Sequence, residues 1–182
     1  MARVLVPLAD GCEELEAVTV IDLLRRAEID VVTAGLKDGA VKASRGVVLV
    51  PDTTLDHALE TDYDMVVLPG GLPGADYLDQ DPRIQALLKN MSVSDKKIAA
   101  ICAAPKVLVT AGLLENKSAT SYPGVLDKMD VPGLTYTGEA VTKDGNIITS
   151  RGPGTAMDFA LTLIEVLLGT EKRDSVETAL VR

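Results

Sequence analysis

The chain contains no tryptophan, a single phenylalanine and a single histidine. An aromatic core is therefore excluded, and the interior has to be built from Val, Leu, Ile and Ala. Hydrophobic residues make up 47% of the 182 positions, enough for one sizeable core and one domain spanning 1–182. Basic residues are also scarce, eighteen Lys and Arg against twenty-seven acids, for a formal charge of −9. That balance argues against broad binding to nucleic acid or to an anionic membrane, both of which need basic surface. It describes a soluble, self-repelling surface instead. No segment reaches the roughly 18 uninterrupted apolar residues that a membrane span requires. The stretch Ala2 to Leu8 reads directly as a strand, without a signal-peptide pattern, which predicts a cytoplasmic protein. Only two cysteines are present, Cys12 and Cys102, too few for a disulfide framework in a reducing compartment. With one histidine, His57, they do not make up a usual zinc site, so no metal is expected.

Apolar runs alternate with helical patterns along the whole chain. Arg3 to Leu8 predicts a buried strand, followed by a helix from about Glu13 to Ala27. In that helix Ala17, Val20, Ile21, Leu24 and Ala27 share one apolar face. Further strands are expected at Ile29–Ala34, Met65–Leu68 and Lys97–Ile101. Val41–Ser44 and Val47–Val50, separated by Arg45-Gly46, predict a small hairpin excursion. Helices are expected at Leu55–Leu59, Pro82 to about Lys89 and Pro105–Ala111. Ala140–Thr142 and Asn146–Thr149 flank the turn Lys143-Asp-Gly145. The last long helix is predicted from Gly154 to Leu168, with Met157, Ala160, Leu161, Ile164 and Leu168 as its stripe and Gly169 as its cap. Continuous apolar strands alternating with helices imply an α/β fold with a mostly parallel sheet covered on both faces.

In such sheets the site lies beyond the carboxyl ends of the strands. The segments that end there are Ala9-Asp10-Gly11, Pro69-Gly70-Gly71 and Cys102-Ala103-Ala104, with Ser150-Arg151-Gly152-Pro153-Gly154 as a fourth. Cys102 sits where a strand turns abruptly into a helix, among Ala99, Ala100, Ala103 and Ala104, whose small size a tight elbow requires. Proximity to backbone amides and a helix start predicts a thiol shifted toward thiolate. Glu13, Glu14 and Glu16 crowd the start of the first helix. Each can compensate the helix dipole, and one of them can reach the thiol to donate or shuttle a proton. Spacing leaves Glu13 and Glu16 both open, since each precedes an apolar-face residue by four. Pro69-Gly70-Gly71 can present amides to an anion, yet it lacks the spaced glycines and Lys-Ser/Thr of a phosphate loop. Cys12, beside Gly11, is a second thiol near the same loops. His57 reads as a surface residue, which leaves no Cys-His-Asp triad.

Four segments taken together resemble the ThiJ/PfpI superfamily, in its Parkinson-disease-protein-7-like branch: Gly11-Cys-Glu-Glu-Leu-Glu-Ala17, Val67-Leu-Pro-Gly-Gly71, Ala99-Ala-Ile-Cys-Ala-Ala-Pro105 and Thr149-Ser-Arg-Gly-Pro-Gly-Thr155. The resemblance runs from Val4 to about Gly169. It implies a flavodoxin-like three-layer sandwich with an acidic, readily oxidised elbow cysteine at Cys102. It selects Glu16 over Glu13 as the carboxyl that hydrogen-bonds the sulfur. Gly71 and Ala103, with Gly70 beside them, match the amides that stabilise an anion. Arg45 matches a basic residue near the site, an arginine of the Arg25-Arg26 pair another, and Tyr122 stands where some relatives carry a histidine. Ala103 replaces the histidine that superfamily peptidases and stronger glyoxalases place after the cysteine, which argues against a peptidase. A homodimer packed through the first helix is implied, with no cofactor.

Two functions fit these residues. In one, Cys102 and Glu16 act on a small reactive carbonyl or a glycated substrate, by glyoxalase III-type or deglycase chemistry. In the other, Cys102 is a redox sensor or chaperone switch, oxidised to a sulfinate with little turnover.

Overall fold

Strand sequences such as Val4-Leu-Val-Pro-Leu8 are apolar at every position because both of their faces are covered. In the computed structural model, which describes residues 1–182, β1 (Arg3–Leu8) is buried from its second residue onward. The chain continues through α1 (Glu14–Arg26), β2 (Asp30–Gly35), β3 (Val41–Lys42), β4 (Val48–Leu49), β5 (Thr53–Thr54) and α2 (Leu55–Ala58). It then forms β6 (Met65–Leu68), α3 (Gly74–Gln80), α4 (Pro82–Val93), β7 (Lys97–Ile101) and α5 (Pro105–Thr110). The remaining elements are β8 (Ser118–Ala119), β9 (Thr135–Tyr136), β10 (Val141–Asp144), β11 (Ile147–Ser150), α6 (Ala156–Leu168) and α7 (Thr170–Ala179).

The main sheet has seven strands in the order β10-β11-β7-β6-β1-β2-β5. All neighbours are parallel except the edge hairpin β10–β11. Alternating strand residues feed two separate cores. On one face Val4, Val6 and Leu8 pack with Val20 and Leu24 of α1 and Phe159 of α6. On the other, Leu5 and Leu68 pack with Leu78 of α3, Leu88 of α4 and Leu108 of α5. This is the flavodoxin-like three-layer sandwich expected. After β1 the chain builds outward through β2 and β5, then returns to add β6 on the other side. The carboxyl ends of β1 and β6 therefore flank the point where the winding reverses, the place where such sheets open a crevice.

Several expectations are corrected. The excursion is a hairpin, but only Val41↔Leu49 and Lys42↔Val48 pair. Two helices, α3 and α7, had no sequence forecast. Only Val176 of α7 is fully buried, and α3 buries Gly74, Ala75 and Leu78, so neither carries a clear apolar stripe. The stripe of α6 is also rotated from the one expected. Met157 is 45% and Leu168 39% exposed, whereas Phe159 and Leu163 are fully buried. The reason is that α6 packs against α1 and α7 as well as the sheet, which widens and turns its buried face.

Candidate active site

Three strand ends converge on one sulfur. Cys102 directly follows β7 and adopts φ +64°, a left-handed conformation that a side chain enters only at a cost of order 1–2 kcal/mol. Its neighbours hold it there: Cys102 N–H donates to Ser150 O at 3.0 Å, and its carbonyl accepts from Tyr122 N–H at 2.8 Å. Ala100 and Ala104 are fully buried, consistent with the small side chains that the elbow requires. Cys102 itself is 8% exposed.

Glu16 lies in the first turn of α1 and is completely buried. Its Oε2 accepts from Gly70 N–H at 2.9 Å. Its Oε1 has no such partner, and the side chain's remaining interaction is with the Cys102 thiol. Glu13, the alternative that spacing left open, is turned away: its carboxylate takes the Ser44 hydroxyl at 3.0 Å. The Gly70 position accepts only glycine. A Cβ there would sit 2.6 Å from Cys102 Cβ and 2.7 Å from Glu16 Oε2. Gly71 has φ +87°, and a Cβ on it would strike Glu13 N at 2.4 Å. The amides of Gly71 and Ala103 are near enough to the Cys102 sulfur to favour its thiolate.

The electrostatics depart from the sequence expectation of an acidic thiol. Burial first, then the charge and hydrogen bond of Glu16, push the Cys102 thiol up to about 12, and the two amides only partly offset this. Helix α5 has six residues, too short for its dipole to reverse the balance. Burial raises Glu16 as well, to about 7, against the lowering contacts from Cys102 and Gly70. The carboxyl, not the thiol, is thus the group poised to titrate near neutrality.

The other predicted residues separate clearly. Cys12 is fully buried, and burial followed by the charge of Glu14 pushes it up to about 12. Arg45 is on the exposed excursion, where its backbone N–H donates to Glu14 at 2.8 Å. Sequence reasoning missed the strap this forms: Ser44 Oγ and Arg45 N–H both bind Glu14, which ties the excursion to the start of α1. The Glu-Glu-x-Glu run was the available signal, since it holds more acids than one dipole needs. Arg25 and Arg26 lie at the far end of α1, paired with Asp52 and Asp22, and do not join the site within one chain. Tyr122 is half exposed and lines a cavity beside the elbow with Arg151 and Gly152. His57 is exposed and paired with Glu60.

A parallel α/β sandwich with a cysteine on a strained strand-to-helix elbow, a buried glutamate against its sulfur and two amides facing it defines a class of cysteine-elbow flavodoxin-like proteins. The chain belongs to the DJ-1/PfpI family, whose sequence pattern it matches over residues 2–166. It is 44% identical over 182 residues to the Parkinson disease protein 7 homolog of Danio rerio, covering 98% of this chain and 96% of that one. It is 38% identical over 175 residues to the glutathione-independent glyoxalase DJR-1.2 of Caenorhabditis elegans, covering 96% and 92%. It also matches Protein DJ-1 homolog B of Arabidopsis thaliana, at 45% over 172 residues, but spans only 39% of that longer chain and uses 93% of its own. Among solved structures, Drosophila melanogaster DJ-1beta superposes with a TM-score of 0.94 at 44% identity, covering 99% of this chain and 97% of that one. Oxidized Toxoplasma gondii DJ-1 does so with a TM-score of 0.94 at 39% identity, covering 100% and 98%. No helix of the chain is long and apolar enough to cross a membrane.

Proposed function

We propose that the protein is a cofactor-independent enzyme of carbonyl stress that converts α-oxoaldehydes to hydroxy acids, with Cys102 as nucleophile and Glu16 as the one proton carrier. The observation that supports this most is the lone Oε1 of Glu16, buried beside the sulfur with no partner of its own. An ionised carboxylate with an orphaned oxygen is costly there. Protonated, the same oxygen donates to sulfur, and the charge that raises the thiol is gone. The pair then shares one proton, and its reactive form is thiolate beside carboxylic acid. The amides of Gly71 and Ala103 favour that form.

The reaction balances without an outside oxidant. The thiolate adds to the aldehyde carbon of methylglyoxal, a C–S bond forms, and the carbonyl oxygen takes the proton from Glu16. The resulting hemithioacetal loses its C–H proton to the Glu16 carboxylate, which returns it to the neighbouring carbon. With the hydroxyl proton passing from the first oxygen to the former ketone oxygen, the aldehyde carbon is oxidised to a thioester and the ketone reduced to a hydroxyl. Water then cleaves the C–S bond and releases lactate. Backbone amides stabilise the oxyanion of the addition steps. The test is lactate production from methylglyoxal by the purified protein. Equal rates in wild type and C102A would remove the proposal. The relative named as a glutathione-independent glyoxalase supports this reading.

A second reading has a specific observation behind it: a relative with the same architecture has been seen in an oxidized form. If Cys102 is a sensor, peroxide converts its thiolate to a sulfinate, whose oxygens the same amides would hold. Mass spectrometry after mild peroxide should then show two oxygens on Cys102 and none on Cys12. In either role we propose a homodimer. Leu15 and Val18 of α1 and Val48 and Val50 of the excursion, between 45% and 82% exposed, form an apolar surface that a second copy would cover.

A further inference from the structure

The chain's arginines are unevenly used. Of the eight, Arg3, Arg25, Arg26, Arg83, Arg173 and Arg182 each pair with a carboxylate. Arg45 and Arg151 alone do not, in a protein whose acids outnumber its bases by nine. Arg151 lies one residue past Ser150, whose carbonyl accepts from Cys102 N–H. One guanidinium N–H donates to Gly138 O at 3.0 Å, which fixes the group and leaves its other donors free. The cavity it lines, of about 270 Å³, is shared with Tyr122, Pro123, Gly152 and Pro153 and carries no acid. Four larger cavities each include at least one aspartate. The Tyr122 ring covers Gly152, where an added Cβ would come within 3.2 Å of ring carbon Cδ2. Tyr122 N–H in turn donates to the Cys102 carbonyl. A guanidinium with free donors and a half-exposed phenol thus meet in the one cavity of this set without a lining acid, on segments whose backbones hydrogen-bond the Cys102 elbow.

We propose that this cavity is a specificity subsite for a carboxylate on the substrate, held by Arg151 and Tyr122, so that the preferred substrates are α-oxoaldehydes bearing an anionic tail on the ketone side. Guanidinium forks match carboxylates in shape as well as charge. Discrimination comes from the difference between charged and neutral tails at one reacting centre. This rests on the enzymatic reading above and deepens it. For γ,δ-dioxovalerate the same steps apply: thiolate addition, proton transfer between adjacent carbons and hydrolysis yield hydroxyglutarate and one proton, with water as the only co-reactant.

The experiment compares full-length wild type, R151Q and R151K. The first readout is the kcat/KM ratio of γ,δ-dioxovalerate to methylglyoxal. The second needs no turnover: the ratio of Cys102 alkylation rates by iodoacetate and iodoacetamide, resolved by mass spectrometry. Both ratios should fall by about threefold or more in R151Q, the scale of an exposed charge contact, and the first through KM. R151K, which keeps the charge but not the fork, should give ratios between those of wild type and R151Q. Measurable turnover with ratios that R151Q leaves within twofold overturns the subsite. Absent turnover in wild type with an alkylation ratio that still falls removes the enzymatic reading and leaves the anion subsite standing.

Discussion

Cys12 and Cys102 carry the same thiol, lie in the same core cluster and are both pushed up to about 12. What separates them is the carboxyl each one faces. Cys12 lies under the influence of Glu14. Burial acts to raise that acid, but its amide, Ser44, Val47 and Arg45 contacts hold it below the ordinary carboxylate range. Glu14 therefore stays charged, and burial together with that charge keeps Cys12 protonated. Cys102 faces Glu16, which burial raises to about 7. Near neutral pH Glu16 can take up a proton, and with it disappears the charge that suppresses the thiolate. Burial alone does not make a cysteine inert or reactive: the protonation of its neighbour decides.

The contrast can be broken from either side. The largest effect belongs to the sulfur itself: C102A should reduce lactate formation from methylglyoxal by at least about a hundredfold, whereas C12A should keep more than half of it. Next is the proton carrier. E16Q should lower kcat by about a hundredfold, within the range of a general acid–base group, and remove the inflection near pH 7 from the rate profile. The third is steric. G70A must displace Cys102 or Glu16, since the added Cβ lies 2.6 Å and 2.7 Å from them. It should lower the Tm in a thermal melt by several degrees, a loss of about 2 kcal/mol, together with most of the activity. Comparable in size with the steric effect is the pH dependence of stability. Folding raises the pKa of Glu16, so the folded state binds more protons between the unfolded value of 4.5 and about 7. Stability from this group is complete below pH 4.5 and lost as pH rises through 7. Urea unfolding should show that decline in wild type and a flatter profile in E16Q. The smallest change is S44A, which removes the hydroxyl that ties Glu13 and Glu14 to the excursion and should cost about 1 kcal/mol by the same denaturation.

The sequence carried the frame of this site, for physical reasons that can be named. Strands β1, β6 and β7 were legible because double-sided burial writes itself as unbroken apolar runs. Cys102 was legible because an elbow demands small neighbours, and four alanines surround it. Glu13 and Glu16 were not separable by spacing, because both border the apolar face of α1, and only the tertiary position of Gly70 decides between them. What raises the thiol was not legible, because a helix start is visible in sequence, while desolvation and a buried neighbouring charge are not. Helix α7 was missed because Val176 is its one fully buried side chain. The turned face of α6 had the same origin, since the partners that cover Phe159 are set by packing and leave no mark on its local pattern.

The most direct measurement is the rate of Cys102 alkylation by iodoacetamide across pH, followed residue by residue in wild type and E16Q. A proton shared between Glu16 and Cys102 requires the wild-type rate to inflect at or below about pH 7 and then level off, and requires E16Q, which has no carboxyl to share the proton, to lose that inflection. A wild-type rate that climbs without a plateau toward pH 12, in step with Cys12, would show that the two thiols do not differ.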